Sequence, residues 1–179
     1  MSTTVSCYLM GGLGNQLFQI FSTMSYGFDH NRCIVFPFAR TLTTGTIRPT
    51  YWESFLRHIH CFTTASSKNI YEISMIHKFP MYKHTEFSHS PIPEFNNHPE
   101  ILLCGYFQSY KYFLNNNGTI FSLIHLRSQQ AEVKEEHSIL FDTESTCVSM
   151  HFRIGDYQNI QQVHPILPYS YYQNSIQNI

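Results

Sequence analysis

At 179 residues the chain is long enough for one domain, or for one domain and part of a second. Hydrophobic residues make up 42% and charged residues 13%, which is enough apolar material for a packed core and excludes a disordered chain. A net charge of −1 leaves no basic excess to draw the chain onto nucleic acid or an anionic membrane, so any phosphate recognition has to be local.

Taken in chain order, Val5 to Met10 is rich in apolar and β-forming residues and predicts a first strand. Gly11-Gly12-Leu13-Gly14 breaks it. Leu17, Phe18, Phe21, Met24 and Ser25 then recur at helical spacing. Cys33 to Phe36 predicts a second strand, closed by Pro37. This β-α-β unit predicts an α/β fold with a parallel sheet flanked by helices. Tyr51 to Cys61 reads as a helix, and Ile70 to Met81 as one or two short strands. Ser88 to Pro99, with Pro91, Pro93 and Pro99, is a loop. Ile101 to Phe107 predicts a buried strand, and Ser109 to Leu114 a short helix closed by Asn115-Asn116-Asn117-Gly118. Gln129 to His137 is helical and mostly solvated. Cys147 to Arg153 alternates, with Val148, Met150 and Phe152 on one face and Ser149, His151 and Arg153 on the other, as a strand does. Pro168 then opens a helix over Tyr169 to Ile179.

The N-terminus has neither a basic segment nor a long apolar run, and no window of about 18 apolar residues occurs. A secretory signal and a membrane-spanning helix are therefore not expected. The chain is expected in the cytoplasm, with peripheral membrane association left open. The five cysteines are odd in number, widely spaced and partly in apolar runs, which fits a reducing compartment better than a disulfide framework. No Cys-x-x-Cys pair occurs, and His58 and His60 lack a carboxylate-rich partner set, so no metal site is expected. Asn117-Gly118-Thr119 is a glycosylation sequon that, without a secretory signal, reads as a turn.

Two runs carry chemistry. Gly11 to Gln16 places a glycine turn between a strand and a helix. Exposed N–H groups at Gly12, Gly14 and Asn15 suit a phosphate or another anion, and Asn15 and Gln16 add neutral hydrogen-bonding groups. The alternative is a tight turn with Asn15 as helix cap. The pattern is neither Gly-x-Gly-x-x-Gly nor a Gly-Lys-Ser/Thr loop, so a dinucleotide fingerprint and a P-loop are poor matches. In the second run, His151 and Arg153 share a face of the expected strand and emerge at its carboxyl end. Arg153 can grip a phosphate through two parallel bonds. Gly155 allows a sharp turn, and Asp156 either orients His151 and Arg153 or pairs with Arg153 as a structural ion pair. Elsewhere, Gln108 and Ser109 either face a ligand or satisfy a turn. Trp52 beside Glu53 is either a sugar platform or core, and Tyr169, Tyr171 and Tyr172 read as packing.

Taken together, these runs resemble the galactoside α-1,2-fucosyltransferase family. Gly11-Gly-Leu-Gly-Asn-Gln-Leu-Phe-Gln19 is similar to its opening signature. Gly105-Tyr-Phe-Gln-Ser-Tyr-Lys-Tyr-Phe113 is similar to its central one, and His151-Phe-Arg-Ile-Gly-Asp-Tyr157 to its His-x-Arg-Arg-Gly-Asp-Tyr motif. His164-Pro-Ile-Leu-Pro-Tyr169 and Tyr171-Tyr172 also fit. The resemblance implies a two-domain glycosyltransferase of the GT-B type. Residues 1–145 would be a Rossmann-like acceptor-side domain, and 146–179 the beginning of a Rossmann-like domain for the nucleotide sugar that continues beyond this point. It implies transfer of L-fucose from GDP-L-fucose to a hydroxyl of a galactose-containing glycan, with inversion and without metal or other cofactor. The first motif arginine, here Arg153, would grip the donor pyrophosphate, with His151 holding the phosphate or the loop and Asp156 a candidate base. Ile154 replaces the second arginine and removes one cation, a change the related protein O-fucosyltransferases share. The alternatives to an active enzyme are a catalytically inert fragment and a non-enzymatic sugar- or nucleotide-binding module.

Overall fold

Thr4, Val5, Ser6 and Cys7 are all buried and form strand β1 (Thr4–Cys7). The computed structural model describes residues 3–86, 88–141 and 146–178, apart from the side chain of Asp156. Within them the chain divides into two units, residues 1–135 and 136–179.

In the first unit β1 leads through the glycine turn into helix α1 (Leu13–Asp29). Strand β2 (Cys33–Ile34) follows, then a small antiparallel ribbon of β3 (Thr41–Leu42) and β4 (Arg48–Pro49). A 3-10 turn covers Arg57–Phe62, followed by the short helix α2 (Ile73–Ile76) and strand β5 (Met81–Lys83). Strand β6 (Glu100–Cys104) comes next, then 3-10 turns at Tyr110–Tyr112 and Leu114–Asn116, and helices α3 (Asn117–Leu123) and α4 (Leu126–Glu136). The main sheet has four strands in the order β2-β1-β6-β5, every neighbouring pair parallel. This is the α/β architecture that the β-α-β reading predicts.

The central strands are buried on both faces, and their side chains alternate between two cores. Val5, Cys7, Ile101 and Leu103 pack with Ile20 and Met24 of α1, Ile120 of α3 and Trp52. Leu102 points the other way, onto Val35, Ile76 and Phe79. Helices thus cover both faces. Alpha1 approaches the sheet so closely that a Cβ on Gly27 would overlap Ile34 Cγ1, so only glycine fits there. The buried helix carries polar groups that bond locally: Thr23 Oγ1 donates to Gln19 O at 2.8 Å.

Several expectations need correction. Tyr51 to Cys61 is not an α-helix; turns lead into the 3-10 segment, and its only fully buried residues are Trp52, Leu56 and Ile59. That spacing leaves too little apolar surface for a continuous helical stripe. Ile70 to Met81 holds helix α2, and only Met81 belongs to a strand. The helix expected over Ser109 to Leu114 is two 3-10 pieces, and Asn117-Gly118 opens α3 instead of closing a turn. Trp52 is core: it is 1% exposed and its ring lies 5.4 Å from Phe36.

In the second unit, Cys147 to Arg153 forms no strand. Alternation puts side chains on two faces, but an extended segment is held by ladder bonds to a neighbour. Among the described residues the second unit offers no strand to pair with. A 3-10 segment at Asp156–Asn159 and helix α5 (Tyr169–Gln177), which begins directly after Pro168, are its regular parts after position 150.

Candidate functional site at the carboxyl end of the sheet

Beyond Cys7, Tyr8 N–H still donates to Leu103 O at 2.8 Å, and the chain then leaves the sheet. Gly11 turns it with φ +77°, a left-handed conformation, and a Cβ there would overlap the Asn15 amide. Helix α1 starts at Leu13 with Gly12 as its cap residue, and no side chain caps it. The expectation of Asn15 as cap is therefore corrected: Asn15 lies inside the first turn. The first N–H groups of a 17-residue helix are left for another acceptor, and the space around Gly12 and Gly14 is open. This is the geometry that favours an anion.

Two buried glutamines hold the turn in place. Gln16 Nε2 donates to Gly11 O at 3.0 Å and to Pro49 O at 2.9 Å. Gln19 Oε1 accepts from Met10 N–H at 2.9 Å, and its Nε2 donates back to Met10 O at 3.2 Å. Gln16 thus braces the turn from beneath instead of presenting its amide to a ligand. Its Oε1 is buried without a partner.

The neighbouring strand β6 delivers the second group. After Cys104 come Gly105, the exposed Tyr106, the buried Phe107 and the exposed Gln108. Gln108 Nε2 donates to Asn15 Oδ1 at 2.8 Å. Ser109 satisfies its turn, its side chain accepting from Lys111 N–H at the start of a 3-10 segment. The first two motif runs therefore meet at the carboxyl ends of adjacent parallel strands, the edge where open α/β sheets place ligands. A cleft of about 300 Å³ opens there, lined by Met10, Lys83, His84, Glu86, Tyr106 and Gln108 among others. It offers an aromatic face, an ammonium, a carboxylate and a side-chain amide, groups that suit a polyhydroxylated ligand. Lys83, His84 and Glu86 were not singled out from the sequence, because they stand in no recognisable run and only the β5–β6 pairing brings them to the site. A larger groove, about 720 Å³, lies beside Phe121, His125 and Arg127, and none of the motif residues lines it.

In the second unit the His151–Tyr157 run is a loop. His151, Arg153 and Gly155 are exposed, and the Asp156 side chain lies outside the described residues. Because no strand forms, a shared strand face does not set the directions of His151 and Arg153. Aromatic contacts order the loop instead. The Arg153 guanidinium sits 4.7 Å from the centre of the Tyr157 ring, which itself stacks on His164 with centroids 4.8 Å apart. An exposed contact of this kind contributes about 0.5–1 kcal/mol. Phe152 packs against Tyr172 at 4.5 Å, and Tyr171 and Tyr172 meet edge to face, while Tyr169 is largely exposed. Gly155 precedes the 3-10 segment, closed by Gln158 N–H donating to Ile154 O at 3.2 Å.

Among the described residues, no group of three or more His, Cys, Asp or Glu side chains is placed to hold a metal ion, and no helix is long and apolar enough to cross a membrane. No family model, no curated protein and no solved structure matches the chain.

Proposed function

We propose that the chain is a fucosyltransferase of the GT-B type, moving L-fucose from GDP-L-fucose to a hydroxyl of a galactose-containing glycan in α-1,2 linkage, with inversion and without a metal. One observation carries this reading. The uncapped start of α1 and Gln108 meet beside a polar, aromatic-edged cleft at the carboxyl end of a parallel sheet. The sequence resemblance supplies the choice of sugar and nucleotide.

The chemistry fits those groups. The acceptor oxygen attacks C1 of fucose as the bond from C1 to the phosphate oxygen breaks. GDP departs with the electron pair, and the hydroxyl proton passes to a base, for which Asp156 is the candidate. Negative charge grows on the pyrophosphate, and preorganised donors stabilise it. In the first unit the α1 N–H groups are such donors. In the second unit Arg153 has that role, with His151 and Gly155 in the same loop. The cleft by Tyr106 is suited to the glycan acceptor, whose pyranose ring can lie on an aromatic face.

Calorimetric titration of the full chain with GDP-L-fucose, GDP-mannose and UDP-galactose tests this. GDP-L-fucose is expected to bind in preference to the other two, and Arg153→Ala to weaken it by about tenfold or more, as for loss of a charge-assisted bond. Equal affinity for all three would favour a general nucleotide-binding module, and no binding would favour an inert fragment.

A further inference from the structure

Phe107 has φ +49°, in the left-handed region that a bulky residue rarely adopts, and its side chain is buried. Such a conformation persists only where the surroundings hold it. Two rings do so here. His84 lies 5.2 Å from the Phe107 ring and Tyr112 lies 5.4 Å from it at 84°. These two are themselves joined in a closed triangle with Ser90. Tyr112 Oη lies 3.0 Å from His84 Nε2, His84 Nε2 lies 3.0 Å from Ser90 Oγ, and Ser90 N–H donates to Tyr112 Oη at 3.1 Å. Because Tyr112 Oη already accepts from Ser90, its own proton is available to His84. His84 Nδ1 is buried without a partner, so hydrogen bonds orient the imidazole through Nε2 alone. The triangle is anchored to the sheet, since His84 N–H donates to Cys104 O at 2.8 Å.

The residue after Phe107 is Gln108, whose amide reaches Asn15 at the open end of α1. We propose that Tyr112 and His84 are positioning residues for the substrate site. By clamping Phe107 in its left-handed conformation they aim Gln108 at Asn15, and they act on the ligand only through that amide. This deepens the fucosyltransferase reading and rests on it for the identity of the ligand. The positioning itself exists without ligand.

Tyr112→Phe isolates the idea, because it keeps the ring against Phe107 and removes only the hydroxyl. In the ligand-free full chain, the side-chain amide resonances of Gln108 are expected to shift in this variant towards those seen in Asn15→Ala. In GDP-L-fucose titrations, Tyr112→Phe and Gln108→Ala are each expected to weaken binding several-fold, and the double variant to be no weaker than Gln108→Ala alone. His84→Gln, which retains a hydrogen-bonding group near Nε2, should bind more tightly than His84→Leu. If Tyr112→Phe does not fold, Ser90→Ala, which leaves the backbone N–H bond intact, replaces it in both measurements. Unchanged Gln108 resonances, or additive losses in the double variant, would overturn the proposal. Absence of GDP-L-fucose binding by the unsubstituted chain would count against the fucosyltransferase reading, and the Gln108 resonances would still decide the positioning role.

Discussion

The imidazoles of His58 and His125 stack with centroids 4.0 Å apart and planes inclined by only 8°. His58 belongs to the 3-10 segment and His125 immediately precedes α4, so the stack is part of what fastens that helix. Its neighbours are polar: Arg57 pairs with Glu132 at 3.4 Å, and buried Gln129 donates to Phe55 O and Ile124 O. Lost hydration pushes the His58 pKa below its ordinary value, and the adjoining His125 and Arg57 push it further the same way, while Glu132 opposes them. The sign follows. A histidine whose folded value is lowered contributes stability in full above its unfolded value of 6.5, and loses it as pH falls through the folded value. The melting temperature should therefore fall on acidification from about pH 8 to about pH 5. It should fall less steeply in His125→Gln, and equal slopes would show that the stack carries no such linkage.

Cys7 offers a second pH-dependent test, of opposite sign. Burial pushes its thiol up to about 12, with Cys104 adding to the effect and a hydrogen bond with Thr23 working against it. Its stabilising contribution is complete below the unfolded value of 9.0 and is lost as pH rises towards 12. Since the thiolate is the nucleophile, Cys7 should resist alkylation in the native chain at about pH 8, while the exposed Cys61 and Cys147 react. Mass spectrometry after a short iodoacetamide pulse reads this out. Labelling of Cys7 at the rate of Cys61 would mean that β1 opens readily.

What the sequence reveals differs between elements for physical reasons. The path from β1 through the glycine turn to α1 is legible because period, breaker and burial agree over a short stretch. Beta6 is legible because Ile101, Leu102 and Leu103 form the apolar run of a strand buried on both faces. Cys147 to Arg153 shows the limit of period alone: the alternation is present, yet pairing decides whether a strand exists. Gln16 shows another limit. Its type suits a ligand, but only the fold reveals that the amide is occupied by Gly11 and Pro49. The triangle of His84, Ser90 and Tyr112 leaves no trace in the sequence, because its members are scattered and the distance between them is set by β5 pairing with β6.

Arg32 gives the most direct test of how the loop before β6 is held. Its guanidinium is buried, and it donates to Phe95 O at 2.6 Å, to His98 O at 3.0 Å and to Thr4 O at 3.4 Å. Three carbonyls thus surround one cation and tie the proline-rich stretch to the edge of the sheet. Nearby, Tyr26 Oη donates to Pro93 O at 3.1 Å. Bonds from a charged donor contribute about 1.5–3 kcal/mol each, and the carbonyls left behind lose their partner together. Arg32→Met is therefore expected to lower unfolding stability by about 2–4 kcal/mol in urea. Arg32→Lys should lie between the two, since an ammonium is a single point donor and cannot span the same carbonyls. Limited proteolysis separates local from global effects. If Arg32 acts on the loop, cleavage between Pro91 and Pro99 should accelerate in Arg32→Met at urea concentrations where α1 remains protected. Simultaneous loss of protection in both segments would assign Arg32 to the global core.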